Sequence, residues 1–156
     1  MKPTMAQDSA AQQLVPARSD ILDCPRRVAD VMTRDAITLS PHQSFAEAVG
    51  LMANRPFHHV LVVDAEQRLR GVISDRDVLR ALSRIPDWNK KSVSEIMTGK
   101  PVTATPDMPI SVAIKLMLAM RINCLPVLGA EGRVCGILTS TDLLKAYEKV
   151  QLRLEG

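Results

Sequence analysis

The stretch Gly71-Val72-Ile73-Ser74-Asp75-Arg76-Asp77 recurs as Gly136-Ile137-Leu138-Thr139-Ser140-Thr141-Asp142. In each version an apolar run ends at a hydroxyl residue, and an aspartate follows three residues later. The pattern predicts the end of a strand, a tight turn and the start of a helix. A hydroxyl and a carboxylate beside a helix N-terminus, where free amides favour an anion, suit a ribose and a phosphate.

The two stretches belong to an internal duplication. They lie 65 residues apart, and the same shift aligns residues 28–82 with 93–147 without a gap. Sixteen of the 55 aligned pairs are identical, whereas chance gives roughly three. We therefore expect two equivalent structural repeats.

Each copy has the same predicted order of elements after a short helical opening: strand, helix, strand, strand and helix. The first strands are predicted at 36–39 and 101–104, and the run 60–63 is apolar without alternation, which predicts a strand covered on both faces. A unit of about 55 residues buries too little surface to be secure alone. We therefore expect a mixed α+β (α/β) fold in which two pseudo-twofold-related β-α-β-β-α repeats pack sheet to sheet.

The duplication also divides the chain. The predicted segments are an N-terminal tail at 1–25, a first repeat at 26–84, a linker at 85–92, a second repeat at 93–147 and a C-terminal tail at 148–156.

Composition argues against several classes of protein. No apolar run approaches the ~18 residues that a membrane helix needs, and the N-terminus lacks the apolar core of a secretory signal, so we expect a cytoplasmic protein. The net charge of +3 and the four aromatic residues other than histidine make nucleic acid an unlikely partner. The three cysteines form no Cys-x-x-Cys pair, which argues against a zinc site.

No catalytic arrangement is recognisable in the sequence. Neither a Gly-x-Ser-x-Gly nor a Walker motif is present, and no nucleophile is paired with a base. We expect no enzyme activity, no catalytic cofactor and no metal.

The chain resembles a tandem pair of CBS domains, the Bateman module, over about residues 28–147. The resemblance implies a non-catalytic regulatory module that binds an adenosine-containing ligand between its repeats: AMP, ADP or ATP, with S-adenosylmethionine or NADH as alternatives. It also implies a homodimer and allows for a regulated protein partner. The matching residues are 31–33 and 96–98, Thr38 and Thr103, 125–127, and the two stretches quoted above.

The resemblance assigns the ribose to Asp77 and Asp142, because one carboxylate can accept a hydrogen bond from each of two neighbouring hydroxyls. Arg76 supplies a guanidinium that can fork onto phosphate. In the second copy Thr141 replaces this arginine, so we expect two unequal sites.

The same resemblance gives roles to residues outside the motif. Thr38 and Thr103 are expected to contact the base, and Val60 and Pro126 to sandwich an adenine. His59 is a candidate for a phosphate-facing ring. Because the side chains of adjacent strand residues point to opposite faces, His58 and His59 are not expected to share a metal.

Ser74 and Thr139 have two interpretations. The resemblance places them near the ribose or the first phosphate. Their spacing from Asp77 and Asp142 also fits a helix capping box, in which each hydroxyl stabilises its helix by about 1 kcal/mol. Both roles are compatible, since one hydroxyl can cap a helix and contact a ligand.

Two other functions remain open from the sequence. The same fold can serve as a ligand-free scaffold for dimerisation and protein interaction. The excess of Arg and Lys would suit a nucleic-acid binder, although the low aromatic content disfavours it.

Overall fold

The computed structural model describes residues 24–155, so most of the predicted N-terminal tail lies outside the described residues. The elements of the first copy are α1 (Val28–Val31), β1 (Thr38–Leu39), α2 (Phe45–Ala53), β2 (His59–Val63), β3 (Leu69–Ser74) and α3 (Asp75–Arg84). Those of the second copy are α4 (Val93–Ile96), β4 (Thr98–Gly99), α5 (Ile110–Met120), β5 (Cys124–Leu128), β6 (Val134–Thr139) and α6 (Ser140–Glu155). The mixed α+β fold with two repeats is confirmed.

Two sheets form the centre of the molecule. One has four strands in the order β1-β2-β3-β4, and the other consists of β5 and β6. The hairpins β2–β3 and β5–β6 are antiparallel and have the same register, with His59 opposite Ser74 and Cys124 opposite Thr139. The 65-residue shift therefore relates the paired strands as well as the sequences.

Strand β2 is covered on both faces, as its uninterrupted apolar run predicts. Val60 and Val62 pack with the helices of the first copy. Leu61 points the other way and packs with Val72, Cys124 and Ile137 between the two sheets. This small cluster is the contact through which the repeats pack sheet to sheet.

The first strand predicted for the second copy, at 101–104, is not formed. Only Ala104 pairs with Val127, as an isolated parallel bridge. In the first copy the amide of Leu61 donates to the carbonyl of Ile37. The equivalent residue in the second copy is Pro126, which has no N–H to donate, so this ladder hydrogen bond is lost and the strand shrinks to a bridge.

The opening helices are exchanged between the repeats, which the sequence analysis did not predict. Val28 and Met32, from the start of the first copy, are buried in the core of the second copy beside Leu125 and Leu138. Val93, from the start of the second copy, is fully buried in the core of the first. Each core is therefore completed by the other repeat.

Backbone hydrogen bonds hold the exchanged segments in place. The amide of Val28 donates to the carbonyl of Met108 at 2.9 Å, and that of Val93 donates to Gln43 at 2.8 Å. Thr98 then adds to the first sheet opposite Val72. Its equivalent, Thr33, forms a bridge with Ile137 in the second sheet.

The repeated glycines make room for this exchange. A Cβ atom at Gly71 would lie 2.6 Å from the Met97 sulfur and 2.7 Å from the Thr98 carbonyl oxygen. At Gly136 it would lie 2.7 Å from the carbonyl oxygen of Thr33. These glycines lie within β3 and β6, where the other repeat's chain crosses too closely for any side chain.

The last helix is longer than predicted. Helix α6 continues to Glu155, so residues 148–155 extend the closing helix where a separate tail was expected. Within the described residues, no helix combines the length and apolar character needed to cross a membrane. The cytoplasmic location stays a prediction.

We predict that Gly71→Ala destabilises the protein by about 1–3 kcal/mol, because the added methyl group forces the crossing segment away from β3. Urea denaturation monitored by circular dichroism measures the effect. Gly50→Ala is the matched control, since Gly50 lies within helix α2 with no neighbour within 4 Å of an added Cβ. There, alanine should stabilise by about 0.5–1 kcal/mol. Equal changes in the free energy of unfolding of the two variants would contradict the close approach of the crossing segment to Gly71.

Candidate functional site

Both copies of the motif form a capping box. The amide and the hydroxyl of Ser74 each donate to Oδ2 of Asp77 at 2.9 Å, and the amide of Asp77 donates to the Ser74 hydroxyl at 3.2 Å. Thr139 and Asp142 repeat this arrangement at 2.8, 2.8 and 3.3 Å. One carboxylate oxygen of each aspartate is thus committed to starting a helix.

The second oxygen differs between the copies. Oδ1 of Asp142 accepts a hydrogen bond from the Thr33 hydroxyl at 2.9 Å. Oδ1 of Asp77 lies 3.5 Å from the Arg80 guanidinium, too far for a strong hydrogen bond. Asp77 is also the charged residue that stands out as buried in the described chain, at 8% exposure. Among the described residues, Oδ1 of Asp77 therefore accepts no hydrogen bond, whereas Oδ1 of Asp142 already accepts one.

Asp77 borders a cleft of about 860 Å³ between the repeats, within the usual range of small-molecule sites. The first wall consists of 35–37, 56–59, 74–77 and Arg80; the second wall consists of 100–102, 121–124 and 139–141; the floor is Thr33, Val72, Thr98 and Ile137. Almost every lining residue has its 65-residue counterpart on the opposite side. The cleft is thus centred on the seam that the sheet packing creates.

The cleft brings together six of the eleven predicted site residues: His59, Ser74, Arg76, Asp77, Thr139 and Thr141. The other five are not among its lining residues: Thr38, Val60, Thr103, Pro126 and Asp142.

The two apolar residues of the predicted site do not line the cleft, and the adenine sandwich stays a prediction. Val60 and Pro126 are fully buried, so neither can sandwich an adenine without opening the fold. Thr38 and Thr103 miss the cleft by one position. Their neighbours, Ile37 and Val102, are the last residues of the lining runs 35–37 and 100–102.

Asp142 borders a different cavity of about 550 Å³. This cavity lies between the start of the described chain and helix α6. Its lining residues are Cys24, Pro25, Asp30, Val31, Asp142, Lys145, Ala146, Lys149, Val150 and Arg153. The two aspartates of the duplicated motif therefore border different cavities. The replacement of Arg76 by Thr141 is a second difference between the two copies.

Several polar residues of the cleft were missed by the sequence analysis. Lys100 and Arg121 line the second wall, while Arg80 and Asp75 line the first. Asp75 contacts Nδ1 of His58 at 3.1 Å. Comparing the two copies position by position for changes of charge would have singled out Lys100 and Arg121.

Burial shapes the electrostatics of both walls of the cleft. It lowers the pKa of His59 below its ordinary 6.5, and the charge of Asp75 only partly opposes the shift. Burial, with the nearby Asp77 carboxylate, raises the pKa of the Cys124 thiol to about 12. At neutral pH the cleft thus contains a neutral His59 ring and an unreactive thiol.

No metal centre is apparent in this part of the chain: residues 24–155 contain no group of three or more His, Cys, Asp or Glu side chains placed to hold an ion.

A family model described as CBS domain matches residues 28–84 and again residues 93–149. The chain belongs to the CBS-domain family. The resemblance noted from the sequence is confirmed, and a pair of CBS domains has the architecture of a regulatory module.

Among curated proteins, inosine-5'-monophosphate dehydrogenase of Methanocaldococcus jannaschii is 37% identical over 120 residues, which are 77% of this chain and 23% of the dehydrogenase. The chain spans about a quarter of the length of the first curated relatives it matches. The similarity therefore concerns the CBS pair within those enzymes.

Solved CBS pairs match over nearly their whole length. The CBS pair of protein MJ0100, in complex with 5'-methylthioadenosine and S-adenosyl-L-methionine, is 31% identical, with a TM-score of 0.72 over 80% of this chain and 98% of that one. CBSX2 of Arabidopsis thaliana, in complex with AMP, is 26% identical, with a TM-score of 0.72 over 81% and 99%.

We predict that stability falls as the pH drops from 6.5 towards 5, and that His59→Gln reduces this loss. Above 6.5 the ring is neutral in both states. Below it, the unfolded chain takes up a proton that the buried ring resists, which favours unfolding. Urea midpoints at several pH values test this. His42→Gln, outside the cleft, controls for the substitution, and identical pH profiles for the wild type and His59→Gln would contradict the assignment.

Proposed function

We propose that this CBS pair is a non-catalytic regulatory module that binds an adenosine-containing ligand in the cleft between its repeats. The observation that carries the proposal is the Asp77 carboxylate. It is buried at the cleft, fixed by Ser74 through one oxygen, and has only the distant Arg80 guanidinium at the other.

This carboxylate suits a ribose. A carboxylate oxygen has two lone pairs and can accept hydrogen bonds from both neighbouring hydroxyls of the sugar. The capping box already fixes the orientation of the side chain, so little rotamer entropy is lost when a ligand binds. The solved CBS pairs with AMP and with S-adenosylmethionine support the same class of ligand.

Regulation follows from the position of the cleft. Its two walls come from different repeats, so a ligand that contacts both walls favours one angle between them. The ligand shifts that equilibrium only through its differential affinity for the two arrangements. A protein partner that contacts both repeats would bind the two arrangements with different affinity.

We propose Asp77 as the ribose site and give Asp142 a structural role. Oδ1 of Asp142 is occupied by Thr33, and this aspartate borders the other cavity. The Thr33–Asp142 bond ties the first repeat's opening segment to the second repeat's closing helix.

We predict that Asp77→Asn weakens binding of an adenosine compound by about tenfold or more, because hydrogen bonds to a charged group are strong and one acceptor becomes an amide donor. Asparagine can still accept the capping hydrogen bonds, so the unfolding midpoint should change little. Isothermal titration against adenosine, AMP, ADP, ATP, S-adenosylmethionine and NADH measures the affinities.

Asp142→Asn is the matched control and should leave these affinities unchanged. Equal loss in both variants would contradict the assignment to Asp77. If no compound binds and none raises the unfolding temperature, the ligand-free scaffold is the correct function, since a ligand at 100 times its dissociation constant adds about 2.7 kcal/mol.

We further propose a homodimer formed through helices α3 and α6. Their exposed apolar side chains are repeat-equivalent: Leu79 and Leu144 are 67% and 68% exposed, and Leu82 and Tyr147 are 42% and 63% exposed. Helices α3 and α6 are equivalent in the two repeats, and in a twofold dimer the same surface of both copies forms the interface, so that each contact is made twice.

We predict that Leu79→Glu combined with Leu144→Glu gives a monomer, because the buried charges would lack partners. Sedimentation velocity measures the mass. Leu118→Glu is the control: this side chain is 73% exposed on α5, and its counterpart in the first copy is Ala53, so that surface lacks the symmetry. A wild-type monomer would refute the proposed dimer.

A further inference from the structure

Charge is distributed unequally between the two walls of the cleft. All of its carboxylates lie on the first wall, at Asp35, Asp75 and Asp77. The second wall has Lys100 and Arg121 and no carboxylate. The repeat symmetry makes the contrast direct, since Lys100 occupies the position of Asp35 and Arg121 that of Pro56.

The two cations of the second wall are not used by the fold. Both side chains are exposed. Across residues 24–155, neither one takes part in an ion pair or a side-chain hydrogen bond. By contrast, Arg80 on the first wall lies beside Asp77. Among the described residues, an anion that enters the cleft would therefore meet unpaired positive charge at Lys100 and Arg121 on the second wall and at Arg76 on the first.

The backbone at both positions is unfavourable for a long side chain. Lys100 has φ 49° and Arg121 has φ 54°. This left-handed conformation costs a residue other than glycine free energy, and glycine or asparagine would adopt it more readily. Arg121 sits at the end of helix α5, a position where glycine is usual. Gln67, Asp87 and Glu131 also have positive φ and lie outside the cleft. Strain therefore points to a binding site only together with the positive charge that Lys100 and Arg121 carry.

We propose that Lys100 and Arg121 form the phosphate-binding side of the cleft, so that the module selects adenine nucleotides by their phosphates. The proposal rests on the proposed function, with the ribose at Asp77 on the opposite wall. Each added phosphate oxygen gains attraction from two cations that no protein carboxylate neutralises. S-adenosylmethionine carries no phosphate and has a net positive charge, with a sulfonium and an ammonium against one carboxylate, so its attraction to these cations is weaker.

This orientation also indicates which ligands would produce the regulatory signal. A nucleotide with its sugar on the first wall and its phosphates on the second connects the repeats, whereas adenosine contacts mainly the first wall. Ligands with phosphates would then close the cleft, and adenosine alone would fill it without closing it.

The test is isothermal titration of the full chain with adenosine, AMP, ADP, ATP and S-adenosylmethionine. We expect affinity to rise from adenosine to ATP, and S-adenosylmethionine to bind no better than adenosine. Lys100→Met with Arg121→Gln should weaken ATP binding about tenfold or more and leave adenosine binding unchanged. Raising the salt concentration should weaken ATP binding to the wild type more than to the double variant.

Lys115→Met with Arg84→Gln removes the same charge outside the cleft and should leave ATP affinity unchanged. Lys100→Asn with Arg121→Asn separates binding from folding. Asparagine suits the left-handed backbone, so this variant should unfold at the same or a higher temperature while ATP binding falls. A lower unfolding temperature would indicate that the cations serve the fold and would overturn the proposal.

The remaining outcomes are distinct. Equal affinity for adenosine and ATP, or unchanged ATP binding in Lys100→Met with Arg121→Gln, would overturn the phosphate assignment and leave the proposed function standing. Binding of no adenosine compound would overturn both.

Discussion

Each repeat of this protein completes its core with a helix from the other. Val28 fills the core of the second copy and Val93 that of the first, and neither side chain is exposed. Burying such a side chain contributes about 1.5–3 kcal/mol. Because these contacts cross between the repeats, the two halves are expected to fold together. The cleft depends on this arrangement, since its walls belong to different repeats and keep their spacing only while both cores are intact.

Much of the fold was predictable from periodicity and from the duplication. The apolar runs indicated the paired strands, and the hydroxyl–aspartate spacing indicated the helix starts after β3 and β6. The exchange was not predictable, because a 65-residue shift looks the same whether an opening helix packs on its own repeat or on the other. The loss of the strand at 101–104 could have been foreseen from Pro126, whose missing N–H is visible in the sequence.

A family motif alone does not tell which residues of a strand face the candidate site, because this depends on the register of the strand. In the first copy the hydroxyl–aspartate corner lines the cleft, because a capping box fixes these side chains locally. Its contact with a ligand stays a prediction. Thr38 and Val60 do not line the cleft, since a motif alone does not give the face of a strand that each residue occupies. The predicted strand, covered on both faces, already implied that the Val60 side chain is buried, as it is in the structure.

The exchanged helices also bear on how such a molecule can arise from half its length. One repeat alone leaves an open groove on its core and carries an opening helix that has no groove of its own. Two separate copies would satisfy both needs by interlocking as a symmetric dimer, an arrangement equivalent to domain swapping. Joining the copies through residues 85–92 turns a concentration-dependent association into an intramolecular one. Once joined, the two copies no longer had to remain identical, and the walls were free to acquire opposite charge.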